Sequence, residues 1–116
     1  MKASPNMWFD REGKPLRDYG EIEKLLRDVK YKRVAQTTLK DGTWISTVWL
    51  GLDHSFGRFT NQRENPLIFE TMVFPSKEKL LDEDVERYST LEEAKAGHKR
   101  MVSKWRLINR VKEVIK

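Results

Sequence analysis

Residues 31–52 read YKRVAQTTLKDGTWISTVWLGL, and the way this stretch folds decides the rest of the chain. Its two halves, 31–39 and 43–52, are rich in β-branched and aromatic side chains, which suit a pleated, half-buried surface. Between them Lys40-Asp41-Gly42 supplies a strong hairpin signal, because Asp-Gly accepts the positive φ of a type I′ turn. With Asp41 and Gly42 as the loop, Leu39 faces Trp44, Thr37 faces Ser46, Ala35 faces Val48 and Arg33 faces Leu50. The opposite face then pairs Thr38 with Ile45, Gln36 with Thr47 and Val34 with Trp49. The first face is the more apolar; the second is expected to be a Thr/Gln surface bearing one large aromatic, Trp49.

On either side of the hairpin the pattern changes period. Residues 66–74 (PLIFETMVF) predict a third strand, and 85–89 (VERYS) a short fourth one. Upstream, Met7-Trp8-Phe9-Asp10 reads as a short strand or an apolar anchor running into a turn. Asp18 with Glu21 has the form of a capping box, and Ile22, Leu25, Leu26 and Val29 recur at helical spacing, predicting a helix over 19–29. Downstream, Thr90 with Glu93 repeats the capping box. Ala94, His98, Met101, Trp105 and Ile108 follow at steps of three and four, so a helix is expected over 91–114 despite Gly97. The fold class is therefore α+β. A three- to four-stranded antiparallel sheet (hairpin 31–52 plus strand 66–74) carries a short N-terminal helix and a long C-terminal one.

The chain has 116 residues, the usual size of one domain, so 1–116 is expected to fold as a unit, with 1–6 flexible and 53–65 an exposed loop. Four Trp, five Phe and three Tyr separate it from disordered sequences, which lack such bulky groups. The absence of cysteine excludes disulfides and thiolate metal sites. No apolar run reaches a membrane span and the N-terminus has no secretory core. The expectation is a cytoplasmic protein without a membrane partner, monomeric or a small homo-oligomer. A net charge of +5 fits an anionic partner, although position matters more than the total.

Position singles out the last helix. Between Lys95 and Lys112 stand Lys95, Lys99, Arg100, Lys104, Arg106, Arg110 and Lys112, with no acid among them. At about 100° per residue Lys95, Lys99, Arg106 and Arg110 share one stripe, roughly opposite the apolar line. Such a stripe can track phosphates; it can also be a solvated face that complements the helix C-terminus. The acidic run Glu78, Asp82, Glu83, Asp84 and Glu86 precedes the helix and is placed to neutralise it. A second candidate surface is Trp49 with Thr47, Gln36 and Thr38, which could stack bases or anchor a protein partner. Its alternative is burial under the N-terminal helix or Trp8.

Catalytic signals are sparse. Asp53 and His54 lie in a loop and Glu70 on the next strand, types that can act as general base or metal ligand. Their structural alternatives are a turn cap, a packed imidazole and an ion pair of Glu70 with Arg33 or Lys32. His98, on the apolar helix face, reads as a satisfied core histidine. There is no GxSxG, GxxxxGK[ST], HxH, HExxH or EF-hand pattern, and neither cofactor nor metal is expected.

Three segments, YKRVAQTTLKDGTWISTVWLGLDHSF, PLIFETMVF and RYSTLEEAKAGH, resemble a family of small phage- and prophage-encoded proteins that has no established activity. The resemblance covers under half of the chain and is most specific at the DGTW and STVWLGLDH stretches. It implies a viral or prophage setting and the host cytoplasm, and it carries over no catalytic residue. The expected function is then a non-enzymatic accessory protein binding a macromolecule, foremost a host protein such as a defence or regulatory factor that it inhibits. The alternatives are a nucleic-acid-binding protein using the basic helix and a small enzyme using Asp53, His54 and Glu70.

Overall fold

The computed structural model describes residues 7–54 and 65–115, and its fold is α+β. A two-stranded ribbon of β1 (Trp8–Phe9) and β2 (Pro15–Leu16) leads into helices α1 (Tyr19–Arg27) and α2 (Val29–Lys32). Then come β3 (Arg33–Thr38), β4 (Trp44–Trp49), β5 (Phe69–Phe74) and β6 (Asp84–Tyr88), an antiparallel sheet in that spatial order. Helix α3 (Leu91–Val114) closes the chain. The expected segments are all present: α3 keeps its bounds, β6 starts one residue early, the other ends are trimmed, the first helix breaks at Asp28, and Tyr31 and Lys32 belong to α2. Asp28 explains that shift: its side chain caps the new helix by accepting from Tyr31 N–H, and the strand begins only at Arg33. The expected flexible residues 1–6, and positions 55–64 of the loop expected over 53–65, lie outside the described residues.

The hairpin register differs from the expected one by one residue. Leu39 N–H donates to the Thr43 carbonyl at 2.8 Å and Gly42 N–H to the Leu39 carbonyl at 3.0 Å, so the loop is Lys40-Asp41-Gly42. Gly42 takes φ +97°, and Asp41 Oδ1 accepts from Thr43 N–H at 3.0 Å. This is the three-residue alternative in which a tight turn is followed by a left-handed glycine. A one-residue change of register turns one strand's side chains over relative to the other. Thr38 therefore pairs with Trp44, Thr37 with Ile45, Gln36 with Ser46 and Ala35 with Thr47.

The core face of β4 is Ile45, Thr47 and Trp49, not the face of Trp44, and this register sets Ala35 and Thr37 of β3 on the same side. Trp49 is 1% exposed, packs edge-on against Tyr31 with ring centroids 4.9 Å apart, and donates Nε1–H to the Phe9 carbonyl. The β1/β2 ribbon, α1, Leu91 and Ala94 complete one cluster around Trp49, Phe69 and Tyr88. A second cluster sets Met101, Val102 and Trp105 on Leu39, Ile45 and Val73. The other sheet face carries Trp44 stacked on Phe74.

Gly97 has a packing reason to sit inside α3. A Cβ there would stand 2.1 Å from a Tyr88 ring carbon, so the helix seats on β6 only because the side chain is missing. Helix propensity alone favours Ala over Gly by about 1 kcal/mol. Overpacking costs about 1–3 kcal/mol, so Gly97→Ala is expected to lower the urea midpoint. A Gly97→Ala protein more stable than the parent would contradict this seating.

Candidate functional site

Helix α3 lies over the sheet with two flanks of opposite character. On the β6 flank its cations are in use. Lys104 Nζ meets Asp84 Oδ2 at 2.7 Å, Arg100 pairs with Glu86, and Trp105 Nε1–H donates to the same Asp84 oxygen at 3.0 Å. Burial opposes ionisation of Asp84, but the bonds from Lys104 and Trp105 outweigh it and hold the carboxyl below its ordinary range. Acidic neutralisation of the helix thus occurs, but through strand β6 and on residues outside the expected stripe.

On the β3 flank the cations are free. Lys95, Lys99, Arg106 and Arg110 are exposed and make no hydrogen bond or ion pair among the described residues. They do not stand opposite the core, because Lys99, Arg106 and Arg110 line clefts that reach β3. Lys99 and Arg106 edge a cavity of about 310 Å³ with Thr37, His98, Val102 and Ser103. Arg106 and Arg110 edge a second, of about 480 Å³, with Thr38, Leu39, Lys40, Asp41, Asn109 and Glu113. Sharing Arg106, the two make one groove between α3 and the edge strand β3. Asn109 Nδ2 donates to Thr43 Oγ1 at 3.1 Å, which fixes the far end of the groove against the turn. Lys40 was not singled out from sequence, since only the docked turn brings it beside Arg106.

Beneath the groove runs a buried chain of polar side chains. His98, 5% exposed, reaches Thr47 Oγ1 with Nδ1 at 2.7 Å and Thr37 Oγ1 with Nε2 at 2.8 Å. Thr47 Oγ1 bonds Thr71 Oγ1, which accepts from the Tyr88 hydroxyl at 2.9 Å. One residue from every strand of the sheet is thereby tied to the helix. Neutral imidazole is one donor and one acceptor, so one threonine donates to the ring and the other accepts from it. Burial pushes the His98 imidazole down from its ordinary range and the Tyr88 phenol up to about 12. The sequence reading of His98 as a satisfied core residue agrees with this geometry.

The other surface expected from sequence is not assembled. Trp49 and Thr47 are in the core, while Gln36 and Thr38 face the opposite side, where Gln36 Nε2 donates to Ser46 Oγ. The reason is the one-residue register difference. Asp53 Oδ1 accepts from Leu67 N–H at 2.9 Å, and His54 Nδ1 lies 2.8 Å from the Leu52 carbonyl oxygen. Glu70 is paired with Arg87 directly across β5 and β6, at 2.9 Å, rather than with Arg33 or Lys32. Among the described residues no group of three His, Asp or Glu side chains is placed to hold a metal ion, and no helix is long and apolar enough to cross a membrane. Comparison with known proteins gives no match to a family model, a curated protein or a solved structure.

A base whose folded pKa lies below its unfolded value stabilises the fold fully above the unfolded value, about 6.5 for His. Stability should therefore fall as the pH drops below that point, through the lower folded value of His98. His98→Gln is expected to flatten this part of the curve in urea titrations at several pH values. A wild-type protein equally stable across this range would remove His98 from the account.

Proposed function

We propose that this chain is a non-enzymatic binding protein that engages a partner protein through the groove between β3 and the basic flank of α3. One observation carries the reading: among the described residues Lys99, Arg106 and Arg110 remain unpaired along a free strand edge, although β6 neutralises Arg100 and Lys104 on the other side of the same helix. Free cations beside a groove favour an acidic partner and speed encounter with it. The residues offered for catalysis are engaged within the fold, Asp53 on Leu67, His54 at Leu52 and Glu70 on Arg87. The resemblance to phage-encoded proteins supports an accessory role, with a host protein in the host cytoplasm as the partner and inhibition of a defence or regulatory factor as its form. The site proposed for that partner is now the groove, since Trp49 is buried.

Nucleic acid is the second reading, favoured by the spread of Lys95, Lys99, Arg106 and Arg110 along one helix flank. Two features weaken it. Asp41, Glu113 and Glu92 lie beside the stripe or on its line, and among the described residues the basic flank presents no exposed aromatic for base stacking. Four phosphate contacts would give a salt slope of roughly −3 to −4 on duplex DNA, which is modest for a binding protein.

The test is a pull-down from host lysate with the parent chain, Lys99→Glu/Arg106→Glu, and Lys24→Glu/Lys30→Glu as a charge-matched control. The expected result is a protein captured by parent and control, retained after nuclease and lost in the groove variant. Capture abolished by nuclease, with the expected slope in gel shifts, would turn the reading to nucleic acid.

A further inference from the structure

Beside the groove runs a strand whose main chain is half unused. Among the described residues β3 is an edge strand, paired with β4 alone. Leu39 bonds Thr43 through its N–H, and the pairs Thr37↔Ile45 and Ala35↔Thr47 follow in register. Ala35, Thr37 and Leu39 therefore turn their main-chain groups toward β4. In an antiparallel ladder the alternate residues turn the other way, so Gln36 and Thr38 direct N–H and C=O away from the sheet. Both residues are exposed. Natural edges are commonly blunted by a bulge, a proline or an inward charge. The bulge here falls between Arg33 and Ala35, before the regular stretch, and 34–39 contains neither proline nor charge.

We propose that β3 accepts an acidic, extended polypeptide segment as an added strand. Its main chain bonds Gln36 and Thr38, and its carboxylates at alternate positions reach Lys99, Arg106 and Arg110. The proposal rests on the protein-binding reading of the groove and adds the conformation and the charge pattern of the bound segment.

Three features of the site fit that occupant together. First, a strand added outside β3 lies under the β3 flank of α3, and every second side chain points to the helix. Second, β3 and α3 run in the same sense: Thr37 lies at His98, and the turn after Leu39 meets Arg106, Asn109 and Arg110. Third, the spacings agree. Alternate strand residues repeat every ~6.7 Å, and a helix rising about 1.5 Å per residue sets Arg106 and Arg110 about 6 Å apart and Lys99 about 10 Å further back. Carboxylates two residues apart thus meet Arg106 and Arg110, and the gap back to Lys99, intermediate between two and four strand residues, is taken up by the flexible lysine stem. A sugar–phosphate backbone neutralises the cations but has no alternating donors and acceptors for Gln36 and Thr38. The opposite edge, β6, offers no comparable site, because Arg100 and Lys104 beside it are paired with Glu86 and Asp84.

The test uses the isotope-labelled full chain and a capped peptide of about eight residues in which Glu alternates with Val and Thr. The expected result is slowed amide exchange at Gln36 and Thr38 on binding, with Thr37 unchanged. Binding should weaken at least about tenfold in Lys99→Glu/Arg106→Glu, and it should be lost when the peptide is N-methylated at alternate residues. Binding that survives methylation, or that leaves Gln36 and Thr38 exchange unchanged, overturns strand addition while the protein-binding reading stands. No binding of the peptide overturns strand addition too, and if random duplex DNA binds instead, the protein-binding reading falls with it.

Discussion

The chain of hydrogen bonds from Tyr88 through Thr71 and Thr47 to His98 and Thr37 is the constraint on which the rest of the molecule depends. Apolar packing alone would let a long amphipathic helix slide or roll on a four-stranded sheet, because hydrophobic contact has no direction. A buried polar group left without its partner costs about 1–3 kcal/mol, so this chain penalises each slip and fixes α3 in rotation as well as position. Gly97 allows the Tyr88 ring to reach the line. With α3 fixed, its cations on one side fall onto Asp84 and Glu86, and those on the other side overhang β3.

The exposed ion pairs add little to stability, about 0–1 kcal/mol each. Their larger effect is on where the positive field remains. β6 cancels the charge of Arg100 and Lys104, and the uncancelled charge of the helix is concentrated on one flank, beside the one sheet edge whose main chain is regular and uncharged. Helix length matters as well. Twenty-four residues of α3 extend about 36 Å, against about 20 Å for six-residue strands. The last turns therefore run past the sheet, which leaves Val114 79% and Ile115 75% exposed and carries Arg110 to the mouth of the groove.

Most of the architecture was legible in the sequence because its signals were local. The capping box at Thr90 and Glu93, the period of α3 and the Asp-Gly turn each depend on residues a few positions apart. The register was not legible, since two- and three-residue loops both satisfy Lys40-Asp41-Gly42 and tertiary packing of Ile45 and Trp49 selects between them. That single choice inverted the expected surface of Trp49, Thr47, Gln36 and Thr38. The basic stripe was legible as a set of residues, but not its neighbours: Asp84 and Glu86 act from a strand, and their alternation toward α3 depends on how β6 pairs with β5. The groove itself, with Lys40 and the β3 edge, could not be read from one sequence, because it forms between segments some sixty residues apart.

The asymmetry of α3 decides where a partner can bind, and the lysines report it directly. Timed acetylation of the native protein, followed by peptide mass spectrometry, gives each lysine's reactivity in a single experiment. Lys104, held by Asp84, should react several-fold more slowly than Lys95 and Lys99, and breaking the pair with Asp84→Asn should bring Lys104 up to their rate. Slow labelling of Lys99 alongside fast labelling of Lys104 would mean that the free flank faces β6, and the groove beside β3 could not be the binding surface.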